Sequence, residues 1–216
     1  LGRDVLSRML YGAQISLTTG LVSVIVGSVL GVLVGLVAGY FGGWLDIVCM
    51  GVVDVLLGFR TYLLAILIVA ILGASQFNLM VAIGLATFPQ VARLIRSEVL
   101  SVKQRDFVDA AYSLGAGNGR IMFKHVLPQV VSPLVVVATF NFALAVTVES
   151  SLSFLGLGPP PPAPTWGMMI ADGRKFILSS PLLPAIPGFA IMLTVLAFNM
   201  LGDTIRDVLD PRLRGR

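Results

Sequence analysis

Cysteine occurs once, at Cys49, and histidine once, at His125. A single cysteine excludes a disulfide scaffold, and a lone imidazole without companions at ligand spacing makes neither a zinc site nor a histidine-based catalytic centre. No HExxH or GxSxG occurs, which argues against an intramembrane metalloprotease or serine hydrolase. The glycines form no phosphate loop either, since GxxxxGK[ST] is missing. Charge is scarce: Asp, Glu, Lys and Arg make up 12% of the residues, about half of what soluble domains carry.

What replaces charge is apolar surface. The 216 residues are 56% hydrophobic with mean hydropathy +0.94, the composition of a membrane protein. Fifteen basic against eleven acidic residues leave +4. That excess is gathered between apolar runs, so it reads as a topology signal, and no nucleic-acid partner is expected.

Five segments reach spanning length, about 20 residues each: 17–40, 46–72, 77–95, 130–156 and 185–205. The expected fold is an all-α, polytopic membrane helix bundle. In the first span Gly27, Gly31, Gly35 and Gly39 recur every four residues and leave a strip without side chains, where another helix can approach closely. The second span is interrupted by Asp46, Asp54 and Arg60; a mid-bilayer charge costs about 2.5–3.5 kcal/mol on insertion scales. Its first half is therefore expected at an interface or inside the bundle, with 61–72 deeper. Asp54 and Arg60 do not match helical i,i+4 spacing, so each needs a partner elsewhere. Glu149, Asn141 and Asn199 lie within later spans, either lining a pathway or bonding between helices.

Basic residues cluster in 93–125 and in the tail 206–216, two spans apart, which assigns both to the cytoplasm. The chain starts at Leu1, and five spans with the tail inside put that start outside. One earlier helix, making six in a longer chain, is the expectation. Segment 157–184 is then extracytoplasmic, stiffened by Pro159–Pro162, with Trp166 suited to anchor at the interface.

The most polar long stretch is DAAYSLGAGNGRIMFKHVLPQ, 109–129. Upstream of it, apolar residues recur near helical spacing from Val99 to Leu114, predicting an amphipathic helix over 97–114. Gly115, Gly117 and Gly119 stop that helix, and a second short helix, 118–127, is expected to end near Pro128. The result is a compact knob with a low-relief surface at Ala110, Ala111 and Gly115. By residues alone it serves equally as an insert for a partner's groove or as a hairpin lying on anionic lipid.

Asp109-Ala110-Ala111, then Gly115, then Leu127-Pro128 resemble the EAA-x3-G-x9-I-x-L-P loop of permease subunits in binding-protein-dependent ABC importers. Asp109 replaces glutamate and His125 stands at the isoleucine position, where HVLPQ is similar to the HVLPN of the peptide and nickel branch. GRDVLSRMLYGAQISL (2–17), GYFGGWLD (39–46), ESSLSFLGLGPPPPAPTWGMMIADGR (149–174) and the ending Gly202-Asp203 … Asp210-Pro211-Arg212 resemble that branch too. Phe59-Arg60 departs from its usual Phe-Pro. The resemblance covers essentially the whole chain.

It implies the fold of type I, MetI-like importers and a C-type permease without covalent chemistry or a cofactor of its own. Its implied partners are a second homologous permease, two ATP-binding subunits that hold the ATP and magnesium, an extracytoplasmic substrate-binding protein and membrane lipids. The 97–128 loop would form the coupling helices, with Asp109, Ala110, Ala111, Gly115, His125, Leu127 and Pro128 at the contact. Di- or oligopeptides are the implied cargo and nickel or its complexes the alternative. From the residues alone, an ion-coupled secondary transporter is the rival class.

Overall fold

A computed structural model describes residues 4–209. Among them all regular structure is helical: α1 (Val5–Phe41), α2 (Gly43–Leu57), α3 (Thr61–Leu72), α4 (Gln76–Lys103), α5 (Asp106–Ser113), α6 (Asn118–Arg120), a π-helical turn (Ile121–Val126), α7 (Leu127–Phe154), α8 (Trp166–Gly173) and α9 (Leu182–Leu209). Four of the rods are long and apolar enough to cross a membrane, or five if the bent pair α2 and α3 counts as one span.

α1 begins earlier than its apolar run predicts. The Asp4 carboxylate caps it, accepting from the amides of Leu6 (3.2 Å) and Ser7 (2.9 Å), which satisfies donors that a helix start leaves free. With 37 residues the rod is about 55 Å long at 1.5 Å per residue, well beyond a hydrocarbon core of about 30 Å. Its extra turns pack rather than protrude: a Cβ on Gly12 would lie 3.3 Å from the Trp166 ring.

Two rows of α1, each spaced by four residues, face opposite ways. Leu21, Ile25, Val29 and Leu33 are exposed, as a lipid-facing row is. Offset from them by two residues, half a helical turn, Gly27, Gly31, Gly35 and Gly39 are buried. There α1 and α4 run parallel, and a Cβ would fall 2.6 Å from Thr87 Oγ1 at Gly27, 2.5 Å from Val91 Cβ at Gly31, 2.5 Å from the Ala92 carbonyl at Gly35 and 3.0 Å from Val99 Cβ at Gly39. Backbone-to-backbone approach of this kind is what association in lipid uses in place of a hydrophobic driving force.

Parallel α1 and α4 require the chain to return between them, and α2 with α3 does so with a 94° bend. The break falls at Gly58-Phe59-Arg60, which is non-helical. α3 packs Leu64, Ala65 and Val69 inward, whereas α2 buries only Val53. α7 then runs back against α1, and α9 returns along α7, where the rings of Phe142 and Phe198 stack at 3.9 Å between centroids and Gly202 lies against Thr139 and Phe140.

Three expectations need correction. The amphipathic stretch 97–114 is not one helix: α4 runs on to Lys103, and a turn at Gln104-Arg105 separates it from α5. A second short helix does not end near Pro128: Asn118–Phe154 is one continuous helix. A proline inside a helix clashes with the carbonyl four residues back. Here the preceding turn is wound as a π-helix, with the Leu127 amide donating to the Met122 carbonyl, and this wider turn accommodates Pro128 without a stop. Trp166 is not an interfacial anchor. It is 4% exposed, its indole donates to the Met9 carbonyl (3.2 Å), and it packs in the core cluster with Leu79, Val146 and Leu152.

Candidate functional site: the helical knob and the broken span

At one end of the bundle α5 and α6 make a compact projection. The turn at Gln104-Arg105 separates α5 from α4, and Gly115 takes φ +79°, a conformation glycine adopts without the cost other residues meet. Val108, Ala111, Ile121, Met122 and Val126 turn inward and merge with Leu36, Tyr40, Ile95 and Val99 of the bundle. The knob therefore moves with the helices that carry it.

Polar contacts clamp the same end. Arg96 donates through two nitrogens to both oxygens of Asp46 (2.5 and 2.6 Å), a bidentate pair that fixes α2 against α4. Arg93 pairs with Asp54 one turn away, supplying the partner that Asp54 required. Lys103 donates to the Tyr40 carbonyl (2.7 Å) and the Tyr40 hydroxyl donates to Asn118 (3.3 Å), tying the end of α1 to the knob.

The predicted knob residues divide by exposure. Asp109, Ala110 and Gly115 are exposed, Ala111 is buried as a strut, and Leu114 is 88% exposed beside them. His125 and Leu127 are half-buried in and after the π turn, and Pro128 is exposed. Leu114 carries no motif signature, yet it is the most protruding apolar side chain here. Its place at the end of an amphipathic stretch was the only sequence cue.

The polar residues of the spans do not gather into one site. Glu149 is fully buried; it accepts from Ser153 Oγ (2.8 Å) and Ser150 Oγ (3.3 Å) on its own helix. Around it Ser16 accepts from the Trp166 amide (3.4 Å) and Thr165 caps α8 by accepting from Met168 (3.2 Å). Glu149 thus sits in a closed knot where α1, α7 and the start of α8 meet. Asn141 is buried on α7, Asn199 is half-buried on α9, and Asp54 faces outward in its ion pair.

A cavity of about 450 Å³ lies instead at the break of the second span, lined by Phe59, Arg60, Thr61 and Tyr62 with Gln90 of α4 and Leu144 of α7 among others. Non-helical backbone at membrane depth is tolerated where it borders such a cavity. Of the polar residues singled out above, Arg60 lines it, and Asp54, Asn141, Glu149 and Asn199 do not. Among the described residues no group of three or more His, Cys, Asp or Glu could hold a metal ion.

A parallel, glycine-seamed helix pair, a broken span around a cavity and a docked helical knob define a multi-pass membrane helix bundle. Residues 31–215 match the family model described as "Binding-protein-dependent transport system inner membrane component", and the chain belongs to that family. It is 46% identical to the dipeptide transport system permease protein DppC of Alkalihalophilus pseudofirmus, over 99% of this chain and 70% of that protein. It is equally 46% identical to the glutathione transport system permease protein GsiD of Escherichia coli, over 100% of this chain and 71% of that one. The fold is that of the MetNI methionine ABC transporter in inward-facing conformations (TM-score 0.76, 18% identity, 97% of this chain and all of that one). An amino acid ABC transporter crystallised with histidines is similar too (TM-score 0.70, 16% identity, 95% and 99% covered). The chain is thus a permease subunit of the binding-protein-dependent ABC importer family that includes these dipeptide and glutathione permeases, in place of the secondary transporter or intramembrane enzyme weighed above.

Proposed function

We propose that this chain forms half of the translocation path of an ATP-driven importer of short peptides, with the α5–α6 knob as its contact with an ATP-binding subunit. The observation that carries the coupling role is the knob itself. Asp109, Ala110 and Leu114 are presented outward, while Ala111, Ile121 and Val126 bind the same segment to the bundle core. A partner that moves the knob must move α4 and α7 with it, and a packed body transmits displacement without dissipating it in a flexible linker.

Short peptides are the cargo because one similar permease serves dipeptides and the other glutathione, at the same identity. The basic cluster from Arg93 to Lys124 supports a cytoplasmic knob, with 155–181 and α8 then facing outward toward a substrate-binding protein. A second, homologous permease completes the path, and two ATP-binding subunits supply the ATP and magnesium.

The test is purification of the tagged full-length chain from its native membrane in mild detergent, with mass identification of what accompanies it. Recovery of a second permease and two ATP-binding polypeptides is expected. Recovery of the chain alone, or as a simple homodimer, refutes the coupling role. Screening the associated binding protein against dipeptides and glutathione tests the cargo, and binding of neither refutes the peptide assignment.

A further inference from the structure

The cavity at the broken span has one charged lining residue, Arg60, and no acidic one. Gln90 of α4 also lines it, three residues before Arg93 and so about 4.5 Å along the axis from it. The cavity therefore lies within the span, in its cytoplasmic half. An arginine within a span faces a partner or a water-filled space, and Arg60 is exposed.

No partner is at hand. The two aspartates of the neighbouring α2 are engaged elsewhere, Asp46 with Arg96 and Asp54 with Arg93, and among the described residues no carboxylate pairs with Arg60. Glu149 is enclosed in its serine knot. Arg60 thus presents a planar set of donors to a space of about 450 Å³, within the size range of small-molecule sites. Thr61, Tyr62 and Gln90 add neutral polar groups around it, and Phe59 and Leu144 supply apolar wall.

We propose that Arg60 is a transient binding residue for the carboxylate of the peptide in transit, with the cavity holding its backbone and first side chains. Arginine pairs with a carboxylate through two parallel hydrogen bonds and supplies orientation as well as charge. Membrane phosphates are the other anions of matching geometry, and a dipeptide that displaces a charge preference at this site, as the labelling experiment reads, separates the two sources. The inference rests on the peptide-import reading and adds the group in the path that selects an anionic end.

The test uses the complete importer with its binding protein in proteoliposomes, following initial uptake of tritiated dialanine and, separately, of glutathione. Arg60→Gln is expected to lower uptake about tenfold, the loss of one charge-assisted contact, with all subunits still recovered in stoichiometric amounts. Arg60→Lys keeps the charge and is expected to restore most of that loss. Uptake by Arg60→Gln within twofold of the unmodified importer overturns the inference, and so does equal loss in the Gln and Lys variants. If the unmodified importer takes up neither probe, the peptide reading itself fails and this inference with it.

A second measurement is independent of turnover. In a Cys49→Ser background, Gln90→Cys is labelled with anionic or cationic methanethiosulfonates. The anionic reagent is expected to react several-fold faster, an advantage that Arg60→Gln abolishes and that added dialanine suppresses. No charge preference, or one indifferent to Arg60, overturns the proposal.

Discussion

Replacing Gly35 by alanine adds one methyl group at one of the two tightest points of the α1–α4 seam. The new Cβ would lie 2.5 Å from the Ala92 carbonyl oxygen and 2.9 Å from Ile95 Cβ. Neither neighbour can swing away, because one is backbone and the other is the branch point of a buried side chain. An ordinary carbon–oxygen contact needs about 0.8 Å more, and a gap of 0.5–1 Å forfeits a quarter to a half of the dispersion energy of the facing atoms. Overpacking of this kind costs about 1–3 kcal/mol; with two rigid neighbours about 2 kcal/mol is expected, a roughly thirtyfold fall in the folded-to-unfolded ratio. Gly51→Ala is the matched control. Gly51 also lies inside a helix, but nothing stands within 4 Å of its Cβ position, so the better helix propensity of alanine contributes up to about 1 kcal/mol in favour. Both are measured by equilibrium unfolding in mixed micelles of dodecylmaltoside and increasing dodecyl sulfate. A Gly35→Ala midpoint equal to or above that of the parent protein, or an equal loss in both variants, refutes the seam as the reason for the glycine row.

Glu149→Ala removes the acceptor of two serine hydroxyls in a sealed site and is expected to cost about 1–3 kcal/mol in the same assay; Glu149→Gln keeps an acceptor and costs less, and the reverse order refutes the knot. Leu114→Ser is expected to leave the unfolding midpoint within about 0.5 kcal/mol, as exposed substitutions do, while lowering recovery of the ATP-binding subunits; normal recovery removes Leu114 from the contact. Asp4 offers a pH signature. The Ser7 hydroxyl, followed by the Ser7 and Leu6 amides, holds its carboxyl below the ordinary 3.8, so its capping is present above that value and is lost as pH falls through the lowered one. Amide exchange in the first turn of α1 should rise over that acid range in the parent protein, and an identical rise in Asp4→Ala refutes the cap.

The amino-acid order alone determined the helical class, the positions of the apolar runs, the close-packing row on α1 and the knob motif, because each rests on local spacing. Hydropathy marks a membrane helix without knowing its neighbours, and a four-residue repeat of glycines exposes one strip of backbone whatever packs against it. What local spacing leaves open is which elements meet. The partners of Asp46 and Asp54 lie on α4, some 40–50 residues away, and no periodicity links them. Trp166 carries the signature of an interfacial residue, yet the start of α8 folds back onto Gly12 and Ser16 and buries it. Pro128 reads as a stop only until the π turn ahead of it is in place. The 94° bend likewise required the tertiary structure: parallel packing of α1 and α4 obliges the chain to return between them, and that geometry turned Arg60 from an awkward charge in a span into the single charged wall of a cavity.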